Sequence, residues 1–192
     1  MAHVTIRDVH QDVQAAVTRL AAALVDCPAA VVVVLVRRLP RIFDTFLTDE
    51  DLRKRLNAKL LYSTGVDLYP ELLRDHSVAI VDDCVQRGIS LGRSYKRFGK
   101  LAQQVLLFSL ASSRWHRTAG QFSGLTIQEP LMELDPEDFE LVTAHINGAL
   151  LDFPTPLDCE DRFLEVRNSD WPSLLPAVQH ICPMHALPVS PE

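Results

Sequence analysis

The sequence has few cysteines and no long apolar run. Its four cysteines include no CxxC pair, which excludes a disulfide framework in a chain of 192 residues and indicates reduced thiols. The longest apolar run, 29–36, has the length of one buried strand, whereas a membrane helix needs about 20 residues. Charged residues interrupt the N-terminal segment, so it lacks the apolar core of a signal peptide. These absences predict a cytoplasmic protein that does not associate with a membrane.

An excess of basic residues is missing as well. The chain has 25 Asp and Glu against 19 Lys and Arg, and its formal charge of -6 argues against nonspecific nucleic-acid binding. With 47% hydrophobic and 23% charged residues, the composition suits one compact domain. We therefore expect a small-molecule ligand, and a protein partner or a homo-oligomer stays open.

Two common nucleotide-binding motifs are also absent. The sequence contains neither GxGxxG nor GxxxxGKS/T, which excludes the glycine-rich fingerprints of Rossmann and P-loop proteins. A phosphoacceptor receiver domain also begins with an apolar strand that ends in acids, but it needs a lysine late in the chain. The last lysine is Lys100, so this class is excluded too.

Hydrophobic periodicity predicts an alternation of helices and strands. Apolar positions at helical spacing over 8–24 predict a helix, and the β-branched run 29–36 predicts a strand buried on both faces, ended by the arginines of 37–41. The later predicted elements are a helix at 48–56 capped by Thr48, a strand at 58–62, turns at 63–65 and 68–73, a strand at 78–81, a helix from about Ser90 and a strand at 105–110. This order predicts an α/β fold with an open, mostly parallel twisted sheet and helices on both faces.

The C-terminal third has a different, α+β character. Its predicted elements are a helix starting at Asp135-Pro136, a strand at 162–166, a short helix at 171–181 and a loose proline-rich tail at 183–192. We predict a single domain, 1–192, with a core at about 1–128 and a variable subregion at about 129–182.

The segment VAIVDDCVQRGIS, residues 78–90, carries the chemistry of the predicted site. An apolar strand leads into two carboxylates, Asp82 and Asp83, and then into a short loop before a helix. The backbone N–H groups of such a loop and the helix dipole form an anion site. Carboxylates can accept hydrogen bonds from sugar hydroxyls or hold the water shell of a magnesium ion. Phosphate on one side and a diol on the other describe a ribose 5-phosphate.

This segment resembles the PRPP-binding signature of the type I phosphoribosyltransferases. The matching positions are Val78, Ile80, Val81, Asp82, Asp83, Val85, Arg87, Gly88 and Ser90, and the departures are Ala79, Cys84 and Gln86. The resemblance implies that the acid pair binds ribose and magnesium. It also implies a phosphate loop formed by Gln86, Arg87, Gly88, Ile89 and Ser90.

The same resemblance implies two further loops. A pyrophosphate-binding loop follows the first core strand in that family, and here Arg37 and Arg38 stand at that position without the usual glycine. A mobile catalytic loop with a basic residue precedes the acid-pair strand. The candidates for that residue are Arg53, Lys54, Arg55 and Lys59, and the role stays unassigned.

The resemblance implies a domain that binds PRPP or a nucleotide 5-phosphate with magnesium and transfers the phosphoribosyl group to an unidentified acceptor. Three alternatives stay open. In the first, the chain is a noncatalytic nucleotide sensor or protein-interaction module, similar to the phosphoribosyltransferase-like components of bacterial conflict systems. In the second, it is a purely structural domain. In the third, the acid pair merely caps a helix.

Two other groups of residues have weaker interpretations. His180, Cys182 and His185 are potential zinc ligands that lack a fourth partner, so we expect no metal there. Residues 115–117, Trp-His-Arg, are an aromatic polar loop that could line an acceptor pocket.

Overall fold

The described residues are organised around a five-stranded sheet. The structure, a computed structural model, describes residues 8–35, 38–62, 70–86, 88–113, 126–128 and 132–150. All of its strand pairs are parallel, and the spatial order is β2-β1-β3-β4-β5. The strands are β1 (Val31–Val34), β2 (Leu60–Tyr62), β3 (Ser77–Val85), β4 (Gln104–Ser113) and β5 (Met132–Leu134). The predicted open parallel sheet is confirmed.

The described residues form five α-helices and one 3-10 turn beside these strands. They are α1 (Val9–Asp26), α2 (Leu39–Phe46), α3 (Glu50–Asn57), the 3-10 turn (Pro70–Leu73), α4 (Ile89–Phe98) and α5 (Pro136–Ala149). Asp8 caps α1 by accepting from the N–H groups of His10 and Gln11, as its short oxygen-bearing side chain suits. Asp49 does the same for α3 through the N–H of Leu52.

The sheet lies between two helical layers. The chain passes from β1 to β2 toward one edge of the sheet and from β3 to β4 toward the opposite edge. Because parallel crossovers are right-handed, α2 and α3 cover one face and α4 covers the other. Helix α1 contacts α2, α3 and α5, while α4 contacts β3 and β4. All four valines of β1 are fully buried, which explains why this strand shows no polar alternation.

The structure corrects several predicted boundaries. Helix α2 was not predicted: the residues expected simply to end the first strand begin it, and Pro40 in its first turn was the available signal. The cap of α3 is Asp49 rather than Thr48. Strand β3 continues through Val85, so the acid pair lies within the strand. Strand β5, which was not predicted, belongs to the sheet although it lies beyond residue 128, the predicted end of the core. Its three residues form a strand only by pairing with β4.

Several predictions fall outside the described residues. These are the turn at 63–65, the loop at 115–117, the strand at 162–166, the helix at 171–181, the tail at 183–192 and the potential zinc ligands His180, Cys182 and His185. The division of the chain into a core and a variable subregion stays a prediction. Within the described ranges, no helix is long and apolar enough to cross a membrane.

Candidate functional site

The candidate site lies where the strand order changes direction. The chain leaves β1 toward β2 on one side and leaves β3 toward β4 on the other. In open α/β sheets, ligands bind in the crevice that such a change opens at the carboxyl ends of the strands. Arg38 follows β1, and Asp82 and Asp83 lie near the carboxyl end of β3. The topology therefore brings Arg38 and the predicted ribose residues to one crevice, while the other predicted pyrophosphate residue, Arg37, lies outside the described residues.

The two acids are partly buried neighbours on the central strand. The backbone N–H of Asp83 donates to Oδ1 of Asp82 at 2.9 Å. Burial raises the pKa of Asp82 well above its ordinary value, and repulsion from Asp83 raises it further. The N–H of Asp83 and the charge of Arg38 oppose this rise in the pKa without cancelling it. A proton on Asp82 is thus favoured by its surroundings.

Asp83 has a cationic partner from the other side of the crevice. Nε of Arg38 lies 3.0 Å from Oδ2 of Asp83, and the two side chains are 33% and 15% exposed. The contact has ion-pair distance but lacks hydrogen-bond geometry. Both of these atoms, together with Nη2 of Arg38, are buried without a hydrogen-bond partner among the residues that the structure describes.

A cleft of about 250 Å³ opens beside Asp82. Its lining residues are Asp82, Cys84, Val85, Gln86, Gly88, Ile89 and Ser90. Four of the five residues predicted to bind phosphate, all but Arg87, therefore surround one space with the first acid. Arg87 itself lies outside the described residues.

Gly88 shapes the mouth of this cleft. It is the N-cap of α4 and has left-handed backbone angles, with φ of 67°. Its carbonyl accepts the N–H of Gly92 at 2.8 Å, the bond that starts the helix. A helix leaves the N–H groups of its first turn without intrahelical partners, and these groups favour an anion. Gly88 and the start of α4 thus have a backbone form that suits an anion.

Residues 88–92 also match the GxSxG spacing of hydrolase nucleophile turns. In that motif the serine stands on a strained turn between strand and helix. Here Ser90 is the second residue of α4 and has helical backbone angles. This geometry does not support a nucleophile at Ser90.

Sequence reasoning missed a group of serines at the end of β4. Ser109, Ser112 and Ser113 are buried polar side chains next to the acid-pair strand. The hydroxyl of Ser109 donates to the carbonyl of Ala111 at 2.9 Å and lies 3.3 Å from the carbonyl of Asp83. Three serines within an otherwise apolar strand were the available signal.

Cys84 also lines the cleft, but its thiol is not reactive. Burial raises the pKa of the Cys84 thiol strongly, and the nearby charge of Asp83 raises it further. The thiol is therefore protonated at neutral pH. Since the thiolate is the nucleophilic form, Cys84 has the character of a structural cysteine.

Three of the four candidate basic residues for a catalytic loop have structural partners. Nζ of Lys59 donates to the carbonyls of Leu24, Val25 and Cys27. The guanidinium of Arg53 donates to the carbonyl of Leu47, and that of Arg55 lies 3.4 Å from Asp26. Lys54 is exposed on α3. These contacts tie the ends of α1, α2 and α3 together.

The acid pair does not fit the magnesium ion that the sequence resemblance implies. Asp83 is already neutralised by Arg38, and Asp82 lies in a desolvated position that favours its protonated form. Across the described ranges, no group of three or more His, Cys, Asp or Glu side chains is arranged to hold a metal ion.

Comparison with known proteins finds similarity in structure alone. No protein-family model matches the chain. No curated protein matches its sequence. Among solved structures, a purine phosphoribosyltransferase from Pyrococcus horikoshii Ot3 is 20% identical, with 64% of this chain and 82% of that chain covered and a TM-score of 0.43.

Two hypoxanthine phosphoribosyltransferases are similar to a comparable extent. The enzyme of Trypanosoma cruzi is 14% identical, with 70% of this chain and 83% of that chain covered and a TM-score of 0.45. The enzyme from Staphylococcus aureus is 15% identical, with 67% and 75% covered and a TM-score of 0.46.

Proposed function

We propose that this chain is a phosphoribosyltransferase-like domain whose cleft binds the ribose 5-phosphate part of PRPP or of a nucleotide. One observation carries the proposal: the first acid and the predicted phosphate loop line the same cleft at the point where the strand order changes direction. That crevice is where open α/β sheets bind their ligands. The magnesium ion implied by the sequence is no part of the proposal, because Arg38 already engages Asp83.

The proposed binding mode assigns each end of the ligand to a different element. The phosphate accepts hydrogen bonds from the N–H groups at the start of α4, where the left-handed Gly88 opens the backbone. The ribose hydroxyls donate to the acid pair at the end of β3. Asp82 is the member of the pair that lines the cleft, and its carboxyl oxygens are the acceptors placed for this role.

Two candidate activities follow from this binding mode. A transferase would hold C1 of the ribose between a departing pyrophosphate and an incoming nucleophile, and it must stabilise the charge that develops on the pyrophosphate. A sensor would bind the ligand without chemistry. The ion pair between Arg38 and Asp83 favours the sensor, because the described cation predicted to grip pyrophosphate is held by the acid pair.

Calorimetric titration with ribose 5-phosphate tests the proposal. We expect saturable binding to the wild-type protein and an affinity at least about tenfold lower for Asp82→Asn, which corresponds to about 1.4 kcal/mol. Glu140→Gln, which removes one exposed carboxylate from α5, is the matched control and should bind as the wild type does. If the wild-type protein does not bind ribose 5-phosphate, the cleft is not a ribose-phosphate site, and the alternative of a purely structural domain is favoured instead.

A further inference from the structure

We propose that His10 and His145 form a zinc site at the surface between α1 and α5. Nδ1 of His10 lies 3.3 Å from Nε2 of His145, although the two residues are 135 positions apart in the chain. Neither residue lines the cleft beside Asp82, so the inference is independent of the proposed function. Two imidazoles from separate helices converge here, and neutral imidazole is the commonest metal ligand in proteins.

The distance between the two nitrogen atoms suits a shared zinc ion. Zinc binds imidazole nitrogen at about 2.0–2.1 Å in tetrahedral geometry, which places two such nitrogens about 3.3–3.4 Å apart. The observed separation of 3.3 Å falls in this range. Without a metal, one ring donates its N–H to the other across this gap. Zinc accepts the lone pair of each nitrogen, and the hydrogen between them moves, by exchange with water, to the other nitrogen of its own ring.

A third ring holds the two imidazoles in place. Phe46 of α2 is buried in the core, and its ring centroid lies 5.4 Å from that of His10 and 5.9 Å from that of His145. The two imidazoles are nearly perpendicular to each other, with an interplanar angle of 83°. Contacts with a fixed ring restrict the rotation of both side chains, so less conformational entropy is lost when a metal binds. The pair is therefore partly preorganised.

The exposure of the pair gives a metal ion access from solution. His10 is exposed and His145 is half-buried, so an ion with its bound waters can reach both nitrogens. Imidazole suits zinc, whereas magnesium and calcium prefer oxygen ligands. Within the described part of the chain, no third His, Cys, Asp or Glu side chain joins the pair to complete a metal site. Water therefore completes the coordination of the ion.

The position of the pair indicates what the ion does. Helices α1 and α5 are the first and the last of the described helices, and they contact each other. An ion that binds only when the two helices lie side by side stabilises the folded chain by mass action. The site is thus a clamp between two distant segments of the chain.

Calorimetric titration with ZnCl2 tests the inference. We expect saturable binding to the wild-type protein and an affinity at least about tenfold lower for His10→Gln and for His145→Gln, because each variant loses one of the two ligands. His76→Gln removes an imidazole from the turn before β3 and, as the matched control, should bind as the wild type does. Thermal melting in EDTA reports whether each variant folds. A wild-type protein that does not bind zinc, or folded variants that bind it equally well, would overturn the inference.

Anomalous diffraction at the zinc edge, from a crystal soaked in ZnCl2, locates the ion directly. We expect a peak about 2.0–2.1 Å from both Nδ1 of His10 and Nε2 of His145. This measurement also separates the pair from the other potential zinc ligands of the chain, His180, Cys182 and His185. Zinc peaks at other residues, with none between His10 and His145, would overturn the assignment.

Discussion

At the scale of a single residue, the carboxyl group of Asp82 is unfavourable for stability at its position. It lies buried on the central strand and beside a second carboxylate, and both circumstances raise its pKa. A residue chosen for stability at this position would be apolar, as Val78, Ile80 and Val81 are. The acid is therefore a local exception that a ligand-binding role would explain.

This reasoning predicts the pH dependence of an Asp82→Asn variant. Because the pKa of Asp82 is higher in the folded state than in the unfolded state, its contribution to stability is fully present below the unfolded pKa and is lost as the pH rises through the folded pKa. Asparagine cannot ionise. We therefore expect the variant to be more stable than the wild type at neutral pH, and the difference to shrink as the pH falls toward about 4.

Urea unfolding at several pH values between about 4 and 8 measures this difference. Glu140→Gln is again the control for the loss of one carboxylate, from an exposed site on α5. A wild-type protein that is more stable than Asp82→Asn at neutral pH would show that the carboxylate is stabilising in its ionised form.

At the scale of elements, Lys59 connects the end of one helix to the start of a strand. Its ammonium group donates to the carbonyls of Leu24, Val25 and Cys27, at 3.2, 2.6 and 3.0 Å. The last carbonyls of a helix have no intrahelical partner and carry partial negative charge, so a cation is favoured there. Lys59 immediately precedes β2, and it thereby fixes the C-terminal end of α1 beside the sheet edge.

We expect Lys59→Met to lower the free energy of unfolding by about 2 kcal/mol, because charged hydrogen bonds to three carbonyls are lost while the apolar stem is kept. Lys54→Met, at an exposed position on α3, should change it by less than about 0.5 kcal/mol. Chemical denaturation of the two variants decides the matter. Equal stabilities would mean that water satisfies the helix end as well as Lys59 does.

A second element-scale prediction concerns the turn between β3 and α4. Gly88 has left-handed backbone angles, which cost a residue with a Cβ atom about 1–2 kcal/mol. We expect Gly88→Ala to lower the free energy of unfolding by about 1 kcal/mol and to weaken ribose 5-phosphate binding, since the turn presents the first N–H groups of α4.

Gly148→Ala is the contrasting control for that variant. Gly148 lies within α5, and an added Cβ atom there meets no atom within 4 Å. The substitution should raise the free energy of unfolding by about 0.5–1 kcal/mol. Thermal melts and titrations of the two variants check both signs, and a Gly88→Ala protein with unchanged stability and affinity would remove the special role of the turn.

At the scale of the whole molecule, the site depends on two strands that are far apart in sequence. A transferase needs both the acid pair of β3 and a pyrophosphate grip at the end of β1. Arg38, the described arginine after β1, forms an ion pair with Asp83. The loop after β1 has no glycine that would let the backbone approach pyrophosphate. In the proposed binding mode, ribose-phosphate binding is therefore separate from pyrophosphate binding.

We expect the affinity for PRPP to exceed that for ribose 5-phosphate by less than about tenfold, or about 1.4 kcal/mol. Parallel calorimetric titrations with the two ligands give the ratio. A much larger preference for PRPP that Arg38→Ala removes would identify a working transferase, since a pyrophosphate grip is what stabilises the leaving group.

Local patterns were sufficient to determine the main elements of this protein. The helical spacing of α1 and the valine run of β1 lie within short windows, and each follows from the periodicity or the propensity of neighbouring residues. The alternation of these elements predicted an open parallel sheet, because the right-handed crossover rule leaves few other arrangements. The strand, loop and helix around the acid pair were equally legible, since they occupy only 13 residues, 78–90, although the strand continues through the pair to Val85.

Only the tertiary structure decided which charges meet. Arg38 and Asp83 are adjacent because β1 and β3 pair in parallel, and no local pattern states the register of that pairing. The same holds for β5, whose three residues are too short to carry a period and become a strand only beside β4. Lys59 was a candidate for the catalytic loop because of its charge and its place in the sequence. The carbonyls that it contacts lie more than thirty residues earlier in the chain. Contacts between distant segments depend on packing and register, and these are properties of the folded chain as a whole.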